Sequence, residues 1–375
     1  MNDKELREIR RRFRPDKSNI SFIKGCFVND KGEIVTTFTE SLATAGTDET
    51  ERLLGIMKKS LSGRLKKNLL DINFTTAQVS GSEEHSLLMK LKKSELKDDN
   101  ALSEFFKKAA ETINLSENYV ILMAFDSYDV FAFSSDGMKE EDSNEVYSYI
   151  LCSICPVKRQ KGALSFHAYD STFKCLSGDT VILSPETGFL FPAFDDRTTN
   201  IYSALYYTKN TAENQEEFLE KIFNCGKMMP AMQQKESFEE CLRDSLGEDC
   251  SFEVIKEVND RISDMVEEHK ASKEEEPLLL NESAFKGVLS SCGVGEEGIN
   301  TFSERFSESF GKNSEISPEN VIDVKKFEIK TPDVSVKVNP DRKDLVSVKV
   351  IDGTKYIMIK ADENVEVNGI DIKIK

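Results

Sequence analysis

Between residues 119 and 207 one strand-like run follows another, and no helical pattern between them is long enough to serve as a crossover. The runs 119–125, 129–133, 146–157, 165–176, 180–183, 189–194 and 201–207 are rich in Val, Ile, Phe and Tyr and are bounded by Asp, Ser, Asn and Gly. Parallel neighbours need a connection of a dozen or more residues, usually a helix, so this succession predicts a large and mostly antiparallel sheet. Asp126-Ser127 reads as the turn between the first two runs. With no Trp, 24 Phe and nine Tyr, the bulk of the core must be phenyl rings.

The flanking sequence makes the fold α+β. Residues 3–14 read as a short amphipathic helix ended by Pro15, with Leu6, Ile9 and Phe13 on one stripe. Runs 20–28 and 34–38 form a hairpin through Asn29-Asp-Lys-Gly32. A helix is expected over 48–63 and a strand over 69–79. Ser82-Glu-Glu-His85 opens another helix in capping style, and His85 beside two Glu is expected in a solvated first turn, with a metal or acid/base site as the alternative. One of Asp98, Asp99 and Asn100 caps the next. Beyond residue 211 the pattern turns helical, over 214–225, 236–246, 252–269, 282–291 and 295–309. Residues 326–375 are almost pure β, with Val-Ser-Val-Lys-Val at 334–338 and again at 346–350. Asp352-Gly353 and Asn368-Gly369 are hairpin signals, and the tail is expected to form a small sheet of four or five strands on neighbouring helices. The expected organisation is an α+β domain over 1–210, an acidic helical region over 211–325 and a small antiparallel β-domain over 326–375.

The formal charge of −17 is unevenly placed. Residues 211–320 hold 26 acidic and 11 basic side chains, whereas the first 17 residues hold seven basic and four acidic. A surface that coats nucleic acid throughout is therefore excluded, because the acidic half repels phosphate. A local basic patch near the start is compatible with it. The longest apolar run, 119–125, falls far short of the about 20 residues that span a bilayer, and the first residues lack a secretory-leader pattern. Eight cysteines without disulfide-framework spacing fit a reducing compartment, so the cytoplasm is expected and no membrane association.

Standard catalytic constellations are missing. Cys152-Ser-Ile-Cys155 is the one CxxC, but on a strand residues three apart face opposite sides, so both sulfurs cannot reach one metal. The three histidines, His85, His167 and His269, accompany no nucleophile elbow, and no glycine-rich loop cradles a phosphate, so no cofactor is expected. The densest polar cluster is Asp195-Asp196-Arg197-Thr198-Thr199-Asn200, set between two apolar runs. Asp195 and Asp196 are the candidate metal ligands and catalytic carboxylates, with Asp126, Asp129 or Asp170 as distant partners and Arg197 to stabilise developing charge. The competing reading is a polar connection in which Asp accepts from backbone N–H groups and Arg197 pairs with a carboxylate.

Arg7, Arg10, Arg11 and Arg14 form a second stripe on the N-terminal helix, and planar guanidinium forks suit phosphate. They are the candidate partner-binding residues, for RNA, the ribosome or another phosphate-bearing molecule. The strings Arg10-Arg-Arg-Phe-Arg-Pro-Asp-Lys-Ser-Asn-Ile20, Ser148-Tyr-Ile-Leu-Cys-Ser-Ile-Cys-Pro-Val-Lys158, Phe191-Pro-Ala-Phe-Asp-Asp-Arg197 with Asn200-Ile-Tyr202, and Val350-Ile-Asp-Gly-Thr-Lys-Tyr356 resemble a domain-of-unknown-function family of Gram-positive bacteria, over nearly the whole chain. That resemblance implies a bacterial intracellular protein and carries no activity. Two functional readings follow: a non-enzymatic interaction or regulatory protein, and, as the alternative, a metal-dependent hydrolase of a phosphodiester or phosphate ester.

Overall fold

The computed structural model describes every residue except 134–138, 161, 177–179, 196, 248–249, 273, 275–276, 313, 324–326, 362–364, 368–369 and 373–375. Two compact units are present: residues 1–233 with 275–277, and residues 234–274 with 278–375.

The first unit opens with α1 (Asp3–Arg12), the hairpin β1 (Phe22–Val28) and β2 (Ile34–Ser41), and α2 (Thr47–Lys58) with a 3-10 turn at Lys59–Leu61. Then come β3 (Leu69–Asn73), α3 (Thr76–Gly81), α4 (Glu83–Lys93) and α5 (Asp99–Thr112). The long strands β4 (Tyr119–Phe133) and β5 (Lys139–Arg159) lead to the hairpin β6 (Ala163–His167) and β7 (Thr172–Leu176). Strands β8 (Thr180–Ile182), β9 (Thr187–Phe191), β10 (Ala193–Asp195), β11 (Thr198–Asn200) and β12 (Ser203–Thr208) precede α6 (Glu216–Phe223).

Eight strands form the principal sheet, in the order β2-β1-β4-β5-β9-β12-β3 with β8 also on β5, and every ladder in it is antiparallel. The unit is α+β, as the missing crossovers require. Alternation along the strands gives the sheet two buried faces. Ile121, Met123, Ile150, Cys152, Phe189 and Tyr206 pack with α4, α5 and α6. Val120, Leu122, Tyr147, Tyr149, Leu151 and Leu205 pack with α1 and α2. Cys152 and Cys155 accordingly lie in different cores, as their spacing on a strand demands.

Three local expectations are corrected. No turn interrupts 119–133: Asp126 pairs with Tyr149 and Ser127 with Ser148 in one continuous ladder. The strand expected to run to 79 stops at Asn73, because the Thr75 hydroxyl and the Gln78 side chain cap a short helix. His85 is not solvated. It is buried beside Phe74 and Phe191, and its Nε2 donates to the Ile201 carbonyl at 2.9 Å.

One glycine is dictated by close approach. Gly188 on β9 faces Ser153 on β5, and a Cβ there would lie 2.4 Å from the Cys152 carbonyl oxygen. The space admits instead the Ser60 hydroxyl, bonded to Ser153 at 2.7 Å, which pins the 3-10 turn to the sheet.

The second unit contains most of α7 (Ala231–Leu246), then α8 (Phe252–Ser272), β13 (Leu280–Asn281), α9 (Glu282–Ser291), α10 (Glu296–Phe310), β14 (Glu315–Ile316) and α11 (Pro318–Val321). Phe238, Phe285, Phe302 and Phe306 form the centre of its core. The tail pairs as β15 (Phe327–Lys330) with β16 (Ser335–Val338), β17 (Val346–Ile351) with β18 (Thr354–Ile359), and β19 (Val365–Val367) with β20 (Ile370–Ile372). Among the described residues these are separate two-stranded ladders rather than one sheet. Asp352 and Gly353, with φ of 50° and 78°, make the turn that the Asp-Gly pair predicts, whereas Asn368-Gly369 lies outside the described residues. Among the described residues no helix is long and apolar enough to cross a membrane.

All eight cysteines are free thiols. Burial pushes Cys26 and Cys155 up to about 12 and raises Cys152 further, so these three stay protonated and unreactive near neutrality. In thiol labelling of the native protein at pH 8, exposed Cys175 and Cys250 should react fast. Cys26, Cys152 and Cys155 should react only on unfolding. Fast native labelling of Cys152 or Cys155 would contradict a structural role for the CxxC.

Candidate functional site

The site is built on α1, a helix of ten residues held against the sheet by both faces of its side-chain chemistry. Leu6, Ile9 and Phe13 are buried in the core of that face. Asn2 caps the helix, accepting from the backbone N–H groups of Lys4 and Glu5, while Glu5 Oε2 accepts from Asn2 N at 2.9 Å. The sequence carried this capping box as Asn2 and Glu5 three residues apart.

Polar contacts then fix the helix laterally. Arg12 donates through Nε and Nη2 to the two oxygens of Asp126, at 2.9 and 3.1 Å. Asp126 is 1% exposed and also accepts from the Tyr149 hydroxyl at 3.0 Å. The Arg12 guanidinium lies 4.9 Å from the centroid of the Tyr128 ring. Burial lowers the affinity of Arg12 for its proton, but the bond and charge of Asp126 outweigh it and raise the guanidinium. Tyr149 is raised by burial and then by the Asp126 charge, so it remains a donor at all ordinary pH. Behind it Tyr147 stacks at 5.1 Å and donates to the Pro192 carbonyl at 2.7 Å.

The polar cluster 195–200 closes the other end. Asp195 accepts from the Met1 amino group at 2.6 Å and from Asn200 Nδ2 at 3.1 Å. Burial would raise this carboxyl, yet those two donors hold it below the usual carboxylate range. Glu5 goes the other way, raised by burial against the N–H groups of Arg197 and Asn2. Arg197 adopts φ of 59°, a left-handed conformation that costs a non-glycine residue about 1 kcal/mol. Its backbone N–H is taken by Glu5 at 3.0 Å and its Nη1 by Glu8 at 2.9 Å, which accounts for the tolerated strain. Asp196 lies outside the described residues.

The other candidate residues are scattered. Arg10 is half-buried and donates to the carbonyls of Leu61 and Gly63, on the segment pinned by Ser60. Arg7, Arg11 and Arg14 are exposed, Arg7 bonding back to the Asp3 carbonyl and Arg14 pairing with Asp16. Asp129 lies at the rim of a cleft beside α1, and Asp170 pairs with Lys174 on the β6–β7 hairpin. His167 is exposed on β6, and His269 Nε2 lies 3.6 Å from Glu274. Among the described residues no three or more His, Cys, Asp or Glu are grouped so as to hold a metal ion.

Between α1 and the β4–β5 ladder the structure opens a polar cleft of about 660 Å³. Arg11, Arg12, Lys17 and Arg197 line it, with Glu8, Asp129, Asn19, Ser127, Tyr128 and Val146. Arg12 and Lys17 went unread in the stripe of candidate arginines. The signal for Arg12 was Asp126 itself, a charge at a core-facing strand position that obliges a partner.

Fold and site together define an α+β protein with an antiparallel sheet, an arginine-bearing helix anchored on it and a cationic cleft at their junction. The chain belongs to the family described as a domain of unknown function (DUF4317), which matches residues 1–370. No curated protein matches it.

The Arg12–Asp126 pair is open to a double-mutant cycle. Arg12→Met leaves Asp126 buried without its counter-charge and should cost about 3–5 kcal/mol in urea unfolding. Arg12→Met combined with Asp126→Leu should restore a large part of that loss. Additive single changes would show that the pair does not hold the helix.

Proposed function

We propose that the protein is a non-enzymatic, cytoplasmic interaction protein whose first unit holds the phosphate backbone of an RNA against the outer face of α1. The observation that carries this reading is the pairing of anchorage with display. One side of α1 is buried by Leu6, Ile9 and Phe13 and fixed by Arg12 and Arg10, its outer side presents Arg7 and Arg11 to solvent, and Arg14 is exposed just past its end. A rigid helix spares the entropy of ordering the chain on binding, and guanidinium forks match phosphate oxygens. Basic charge also gathers next to it, in Lys58, Lys59, Arg64 and Lys67 of the segment that Arg10 contacts. Acidic charge is concentrated over residues 211–320 of the sequence, apart from this basic stretch.

The free thiols support a reducing compartment. Metal-dependent ester hydrolysis draws less support, since both oxygens of Asp195 already accept from Met1 and Asn200.

Single-stranded RNA binding to the full chain, measured by anisotropy over a salt series, tests the proposal. Replacing Arg7, Arg11 and Arg14 with Gln should weaken binding and lower the salt slope by about 2, at about 0.7 per lost phosphate contact. An unchanged affinity and slope would overturn it.

A further inference from the structure

The cleft beside the arginine face has a chemistry of its own. Its floor is the Arg12 guanidinium, held in plane by Asp126 and lying against Tyr128. A guanidinium carries five N–H donors, and Asp126 takes two of them, which leaves three in a fixed position. At the rim stand Arg11 and Lys17, both exposed, and neither has an ion-pair partner among the described residues. Ser127 lines it too, and its backbone carbonyl accepts from Asn19 Nδ2 at 2.7 Å. Of the two carboxylates that line the cleft, Glu8 is engaged by Arg197, and Asp129 is the other.

We propose that this cleft binds a terminal phosphomonoester, through Arg11, Arg12 and Lys17. The inference rests on the reading of the first unit as a phosphate-binding module, and narrows it to a site for the end of a chain. With Arg12 paired to Asp126 and Arg197 to Glu8, Arg11 and Lys17 set against Asp129 leave an excess of one positive charge along the lining. A phosphomonoester carries close to two negative charges at neutral pH and three terminal oxygens, whereas an internal phosphodiester carries one charge and two. A pre-oriented guanidinium with a lysine beside it recognises the former better. The same group is offered by a 5′-phosphorylated RNA, a mononucleotide or free phosphate, and the experiment separates them.

The full-length protein is titrated with one short single-stranded RNA bearing either a 5′-phosphate or a 5′-hydroxyl, with adenosine 5′-monophosphate and inorganic phosphate as competitors. The phosphorylated RNA should bind about tenfold tighter, the worth of one additional charge-assisted contact. Lys17→Gln should erase that advantage and leave the binding of the hydroxyl RNA in place. Competition by the mononucleotide alone assigns the site to nucleotide ends, and equal competition by inorganic phosphate assigns it to the phosphate group by itself. Equal binding of the two RNAs, still sensitive to Arg7→Gln and Arg14→Gln, overturns the cleft and leaves the helix face standing. Binding of the mononucleotide or phosphate without either RNA, weakened by Lys17→Gln, supports the cleft and removes the RNA reading. A 5′-phosphate advantage that survives Lys17→Gln overturns the assignment to these residues.

Discussion

A carboxylate buried in the middle of a sheet is the constraint from which the first unit follows. Asp126 sits at a position whose neighbours on the same strand, Val120, Leu122, Ala124 and Val130, all face the core beneath α1. Desolvating a charge there costs several kcal/mol, and only a close counter-charge with further hydrogen bonds offsets it. Arg12 supplies the charge through a two-pronged contact and Tyr149 supplies the additional donor. Satisfying Asp126 therefore requires that α1 lie across this face with its C-terminal turn over the β4–β5 ladder. The other contacts of the helix, Glu5 and Glu8 to Arg197 and Arg10 to the 61–63 carbonyls, set its N-terminal half and its azimuth.

That geometry was partly legible in the sequence. The antiparallel sheet was readable because strand-like runs followed each other without room for crossovers, and Ser82 and Asp98 marked helix starts correctly. The opposed placement of Cys152 and Cys155 followed from strand parity alone. Asp126 was misread as a turn because local pattern treats a charge as a break. Its partner lies 114 residues away, beyond the reach of any periodicity. His85 failed for the same reason. Its capping context is local and polar, while the Phe74 and Phe191 rings that enclose it arrive from other strands. The candidate cluster at 195–200 was found by its composition, but its partners are the first residues of the chain, and these turn Asp195 and Arg197 into anchors.

The division of labour among the arginines follows from the same packing. On a helix whose apolar stripe faces the sheet, residues flanking the stripe reach sideways into the protein and those opposite it stand in solvent. Arg10 and Arg12 flank it and become structural. Arg7 and Arg11 stand opposite in solvent, and Arg14, just past the helix end, is exposed beside Asp16. Rigid support of an exposed cationic face suits recognition better than the same residues on a loop. The cleft gains from the arrangement too, because one of its donors is the outer edge of the pair that holds the helix in place.

The central claim is that α1 is locked to the sheet rather than resting on it. A helix of ten residues is marginal by itself and frays within its own length. Native-state amide hydrogen exchange measures the difference residue by residue. If the Asp126 contact and the buried stripe hold α1, the amides of Leu6 to Arg12 should be protected to nearly the same free energy as those of β4 and β5. Exchange of these amides at the rate of a frayed terminus, with β4 and β5 still protected, would contradict the account.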